Sequence, residues 1–211
     1  VGFSVERQVI NKLPCVPENP PVHSGDTWCI GDSKEGWSEA YLNLLTELWV
    51  HNRLSIYDYT QIRPAGARLK TMGGRASGPA PLQDLFEYTI KVFDKARGRR
   101  LESIELHDLA CKIGEIVVVG GVRRSAMISL SNLSDDRMRE AKSGNWWGDP
   151  DDPYSGHKMR AMANNSAVYT ETPETIVFMK EWLSLVESNS GERGIINRGA
   201  AKTKIANLPT G

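Results

Sequence analysis

Apolar residues recur every three or four positions over 35–52, where Trp37, Ala40, Tyr41, Leu44, Leu45, Leu48 and Trp49 form one stripe and predict an amphipathic helix. The same period returns over 81–98, with Leu82, Leu85, Phe86, Ile90 and Phe93 inward between a start at Pro81 and a stop at Gly98. A third helix is expected from Ser103, read as its N-cap, with Leu106, Leu109, Ala110, Ile113, Ile116 and Val117 on the apolar face. A fourth, capped by Thr172-Pro173, presents Ile176, Val177, Trp182, Leu183 and Val186. Short strands are predicted at 1–5, 55–59, 127–130 and 194–197, and another, entered through Asn164-Asn165-Ser166, runs to Tyr169. Ser134-Asp135-Asp136 opens a short helix that stops by Gly144; 14–21 reads as a Pro-rich connector and 145–154 as an exposed excursion. Strands alternating with helices predict an α/β architecture with many parallel neighbours, and no solenoid-length repeat is visible.

Composition narrows the function classes. The chain has 211 residues, 40% hydrophobic and 25% charged, enough for one substantial core or two small ones. Lys plus Arg equals Asp plus Glu at 26 each, so there is no global basic field of the kind that coats nucleic acid or anionic membrane, and any polyanion site must be local. Cys15, Cys29 and Cys111 are odd in number and far apart, which argues against a disulfide framework and a zinc knuckle and fits a reducing cytoplasm. No apolar run approaches the length of a membrane span. The chain opens on Val1 inside a strand and closes on Leu208-Pro209-Thr210-Gly211, so it is expected to be a piece of a longer protein, truncated at both ends.

Two loops carry candidate chemistry. In Gly120-Gly121-Val122-Arg123-Arg124-Ser125-Ala126, two glycines let a partner approach the main chain, and two arginines offer planar forks for phosphate, carboxylate or the face of a base. The simpler reading is a helix C-cap followed by a solvated strand start. Gly73-Gly74-Arg75-Ala76-Ser77-Gly78-Pro79 precedes a helix and suits either an anion cradle or a structural turn, with Ser77 as a plain N-terminal cap. It is neither a P-loop nor a dinucleotide fingerprint. His23, His51, His107 and His157 show no metal-ligand spacing, so no metal site is expected. Cys111 reads as a packing residue, Glu192-Arg193 as a surface ion pair or turn, and Asn164-Asn165-Ser166 as a turn or a reader of base edges.

Taken together, Val1-Gly-Phe-Ser-Val5, Ile62-Arg-Pro-Ala-Gly-Ala67, Gly73-Gly-Arg-Ala-Ser-Gly-Pro79, Gly120-Gly-Val-Arg-Arg-Ser-Ala126, Asn164-Asn-Ser166 and Gly191-Glu-Arg-Gly-Ile195 occur in the order seen in ribonucleotide reductase large chains. The chain most resembles the adenosylcobalamin-dependent, or class II, branch, including virus-encoded members. The resemblance implies that 1–211 is part of a single α/β barrel domain of ten strands, its amino-terminal half or somewhat more. It implies thiyl-radical reduction of ribonucleotides for DNA synthesis, with adenosylcobalamin as cofactor of the full-length protein and a thioredoxin-like reductant. The family's Asn-Pro-Cys-x-Glu motif is absent here and none of the three cysteines matches a catalytic position, so no catalytic residue is expected in this chain. The implied substrate and effector contacts are Val1, Gly2, Gly120, Gly121, Val122, Arg123, Arg124, Ser125 and Ala126, with Arg123 packed on the substrate base and the loop lying between ribonucleotide and deoxynucleotide effector. The segment after Val5, including Arg7, matches the other effector-side loop only loosely. Val119 departs from the polar residue of class I relatives. A class I chain with a separate radical-generating subunit, or a non-catalytic nucleotide-binding module, are the alternatives.

Overall fold

The computed structural model describes residues 1–68, 74–117, 127–149, 151, 156–189 and 191–206. Strand β1 (Gly2–Ser4) leads through the short helix α1 (Arg7–Ile10) and the Pro-rich connector into β2 (Val22–Cys29). Helix α2 (Lys34–Thr46) follows, capped by the Ser33 hydroxyl on the Gly36 N–H, and continues as one wide turn over Glu47–His51. Asn52 closes that turn at φ 47°, a left-handed conformation that Asn tolerates, and delivers the chain into β3 (Arg53–Asp58). The two long helices are α3 (Ala80–Lys95) and α4 (Ser103–Ile116). After them come β4 (Met127–Asn132), α5 (Asp136–Arg139), a tight turn over Lys158–Met162, β5 (Ala163–Tyr169), α6 (Thr175–Glu187), β6 (Gly194–Asn197) and α7 (Arg198–Ala206).

The expected α/β architecture with parallel neighbours is what forms. One sheet has the order β1-β4-β5-β6 with every pair parallel, and β2 and β3 form a second parallel pair. The main apolar core gathers Ala40, Leu44 and Leu48 of α2, Leu82, Leu85, Phe86 and Phe93 of α3, and Leu109 of α4, which are the stripes that the period predicts. Helix α4 joins the two halves, since Cys111 on the same helix belongs to a smaller cluster with Met159 and Ala163 under the four-stranded sheet. Gly36 sits where α2 crosses Gly31: a Cβ there would meet the Gly31 carbonyl oxygen at 2.6 Å. No described helix is long and apolar enough to cross a membrane.

Several local expectations change. Strand β2 has no counterpart in the sequence reading: its residues are all exposed, and a register shift between His23 and Thr27, with Gly25 at φ 77°, breaks its alternation. Ser103 is the first residue of α4, not its cap; Glu102 holds that position, and its N–H donates to the Glu105 carboxylate at 2.8 Å. Glu174, rather than Thr172, precedes α6. The inward face of α4 carries His107, Asp108, Cys111 and Gly114 beside Leu109, while Ile113 and Val117 are exposed. On α6 the only buried residue is Glu181, and Ile176, Trp182, Leu183 and Val186 are all 50% exposed or more.

Candidate functional site

One face of the four-stranded sheet packs against α4 and the buried ion pairs. Met127, Ser129 and Ser131 of β4 point to the covered side: His107 Nδ1 lies 3.0 Å from Ser129 Oγ, and the Ser131 hydroxyl accepts from Arg193 at 3.0 Å. Side chains alternate along a strand, so Ile128, Leu130 and Asn132 take the opposite face. Register carries the pattern across the sheet, placing Ser4, Asn164, Ser166 and Gly194 on that same opposite face, where Asn164 is exposed and Ser166 is buried. Of the Asn164-Asn165-Ser166 run, the first and third therefore share that face, and only Asn164 is exposed. Asn165 turns toward the helices, and the run lies inside β5 rather than in a turn.

At the carboxyl ends of β1, β4 and β6 a polar cluster forms. Arg198 grips the buried Glu6 carboxylate at 2.5 and 3.1 Å, and Ser4 Oγ and Gln8 Nε2 donate to the same group at 2.8 and 2.7 Å. Burial alone would raise the Glu6 pKa, but these donors outweigh it and hold the carboxyl below the usual carboxylate range. Asn132 Oδ1 accepts the Arg7 N–H at 2.7 Å, and the Arg7 guanidinium donates to Ser134 Oγ at 2.8 Å. Open parallel α/β sheets commonly take ligands at this end of their strands.

Beneath the sheet the charges are structural. Arg193, expected at the surface beside Glu192, is fully buried and pairs with Glu181 at 2.5 and 2.8 Å, its other N–H groups reaching Ser131 Oγ and the carbonyls of Asn132 and Leu133. Arg139 adds a bond to Glu181 at 2.8 Å, so the two guanidinium groups override burial and keep Glu181 ionised below its ordinary range. Glu192 instead accepts from Lys142 at 3.0 Å and from the Asn165 N–H at 2.5 Å. Asp108 and Arg160 form a second buried fork at 2.7 and 2.7 Å. Cys111 is buried, and desolvation pushes its thiol up to about 12, in keeping with a packing role.

The predicted site residues divide. Residues 118–126, which include Gly120, Gly121, Val122, Arg123, Arg124, Ser125 and Ala126, lie outside the described residues. Their flanks are described: α4 leads in and Met127 starts β4 directly after. Val1 and Gly2 stand next to that start, because the Val1 carbonyl accepts the Ile128 N–H at 3.0 Å and Gly2 pairs with Ile128. The structure thus brings Val1 and Gly2 to the amino end of β4, whereas Arg7 lies at the other end of the strands. The Gly73-to-Pro79 loop behaves as a turn over its described part: Arg75 donates to the Gly66 carbonyl at 3.0 Å, and Ser77 donates to the Gly78 carbonyl instead of capping α3. Among the described residues no cluster of His, Cys, Asp and Glu is arranged to hold a metal ion. Sequence reasoning missed Glu6 and Arg198, which are 192 positions apart and carry no local signal.

The chain is similar in sequence and fold to known proteins. Residues 19–93 match the family model described as the B12-dependent ribonucleotide reductase insertion domain. The adenosylcobalamin-dependent ribonucleoside-triphosphate reductase of Lacticaseibacillus paracasei is 30% identical over 93% of this chain and 30% of its own length. The enzyme of the same name from Euglena gracilis is 34% identical over 68% of this chain and 19% of its own. A crystal structure of a B12-dependent (class II) ribonucleotide reductase superposes with a TM-score of 0.73 at 24% identity, covering 93% of this chain and 30% of that one, and so shares the fold. The chain spans less than a third of the length of these relatives.

Proposed function

We propose, from the premise that this chain belongs to the adenosylcobalamin-dependent ribonucleotide reductases, that the full-length protein reduces ribonucleoside triphosphates to deoxyribonucleotides for DNA synthesis. The observation that carries this reading is a similarity running through nearly the whole chain rather than through one motif. The names of these relatives favour it over a class I chain and over a non-catalytic nucleotide-binding module. In this reading 1–211 is one stretch of a single ten-stranded barrel, in which β1, β4, β5 and β6 are wall strands and β2 and β3 stand outside the wall. The all-parallel order of the four strands supports that placement.

The face that carries Ser4, Asn132 and Asn164 then serves as part of a substrate cradle, these side chains orienting a polar ligand. Residues 118–126 serve as the specificity loop between the ribonucleotide and a deoxynucleotide effector. Arg123 stacks on the substrate base, and Val1 and Gly2 border the loop's return. Such a loop couples two sites when its arrangements contact each nucleotide differently. A thioredoxin-like protein supplies reducing equivalents, and the cytoplasm, a host's where the gene is viral, is the compartment.

Adenosylcobalamin supplies the radical in the full-length protein, but the described residues do not fit it. The cleft beside Tyr57 and Phe86, about 310 Å³, is at the small end of ligand pockets and far short of a corrinoid, and the buried Cys111 thiol is shielded from any cofactor. Cofactor contacts are therefore proposed for the remainder of the full-length protein. Full-length protein incubated with CTP and a dithiol, with and without adenosylcobalamin, should yield dCTP only when the cofactor is present. Equal yield without it rejects the class II assignment.

A further inference from the structure

We propose that the outer edge of β3, with the cleft between it and α3, is a strand-addition site for an extended partner polypeptide that places one arginine or lysine in the cleft. In a parallel ladder each residue sends its N–H and C=O to the same side, and the side alternates along the strand. Ile30 donates to the Asp58 carbonyl and Val22 to the Asn52 carbonyl, so the even-numbered residues of β3 face β2 and the odd-numbered ones face away from it. At Ser55 the outward edge is already filled. Its N–H donates to Glu47 at 3.1 Å, and the same carboxylate accepts Ser55 Oγ at 2.5 Å and the Tyr57 hydroxyl at 3.0 Å. At Tyr57 the outward N–H and C=O have no partner among the described residues, which leaves a short edge for pairing.

The cleft lies along this open edge. It is lined by both Leu54 and Ser55, whose side chains take opposite faces, and so it reaches the strand's rim. Its walls are aromatic: Phe86 meets Tyr57 edge-on at 4.8 Å and Tyr59 at 6.0 Å. Glu87 lines the cleft and makes no hydrogen bond or ion pair among the described residues, while its negative field, after burial, helps push the Tyr59 phenol up to about 12. Three aromatic rings beside a carboxylate that has no ion-pair partner among the described residues favour a cationic side chain, and a volume of about 310 Å³ suits one side chain better than a whole cofactor. Backbone pairing would supply affinity and the cleft would supply specificity, as in other strand-addition sites.

This inference stands apart from the reductase reading, and its test does not measure turnover. The full-length protein is mixed with the blocked pentapeptide acetyl-Val-Thr-Arg-Thr-Val-amide, with its Glu-centred counterpart, and with N-acetyl-arginine amide. Fluorescence anisotropy of labelled pentapeptide reports affinity, and hydrogen–deuterium exchange over 53–60 reports backbone pairing. Binding of the Arg peptide with exchange slowed about tenfold at that segment is expected, together with about fivefold weaker binding to the exposed-site variant Glu87→Lys, the scale of a surface ion pair. No binding at millimolar peptide overturns the proposal. So does equal affinity for the Glu peptide, equal binding by N-acetyl-arginine amide without slowed exchange, or slowed exchange that follows protein concentration alone and so reports a second copy.

Discussion

His107 shows how a single residue acquires its character from packing. It lies fully buried between Ser129 and Cys111, and desolvation first, then the charges of Arg160 and Lys142, pulls its pKa down to about 3. An unfolded chain takes up a proton at this histidine below about pH 6.5, and the folded one does not until near pH 3. The associated stability is complete above pH 6.5 and declines as pH falls toward 3, by about 2 kcal/mol at pH 5. Urea unfolding at pH 7 and pH 5 should therefore show His107→Gln losing about 2 kcal/mol less than the parent over that interval. Equal losses would mean that the ring is not held neutral. In the sequence, His107, Cys111 and Gly114 keep helical spacing, but their polar and small side chains hide the face that the apolar residues of α4 mark only in part.

At the scale of elements, period alone located helices well and judged their buried faces unevenly. Where facing partners are present, as for α2 and α3, the stripe is the core. Helix α6 has an equally clear stripe, yet it is held by Glu181 to Arg193 and Arg139, while Ile176, Met179, Trp182, Leu183 and Val186 stay at least 50% exposed. Leu183→Ala should consequently change the unfolding free energy by under about 0.5 kcal/mol, while Leu109→Ala, 5% exposed in the core, should cost about 2 to 5 kcal/mol. Comparable costs for the two variants, measured by urea denaturation, would place α6 inside a core. Strand β2 was illegible for a different reason. A polar strand exposed along its whole length has no apolar alternation to detect, and its bulge interrupts what pattern there is.

For the whole molecule, the four parallel strands set Val1 and Gly2 against the start of β4, directly after the Gly-Gly-Val-Arg-Arg stretch in sequence. If Arg123 reads a base there, Arg123→Ala in the full-length protein should shift the kcat/KM ratio between substrates under different effectors by about tenfold, or ~1.4 kcal/mol of coupling. Its thermal midpoint should stay within about 2 °C of the parent, as for a residue outside the core. Equal loss for every substrate, in step with a lowered midpoint, would assign the residue to folding instead. The sequence by itself determined the alternation of elements and the neutral charge balance, because periodicity, turn residues and composition need no tertiary contact to be read. Only the tertiary structure decided which stripes are covered, that Arg193 is buried on Glu181, that Glu6 meets Arg198 across 192 positions, and that β3 keeps an open edge beside Glu87. Each of these depends on groups brought together from distant parts of the chain, and burial, pairing and pKa follow from that company.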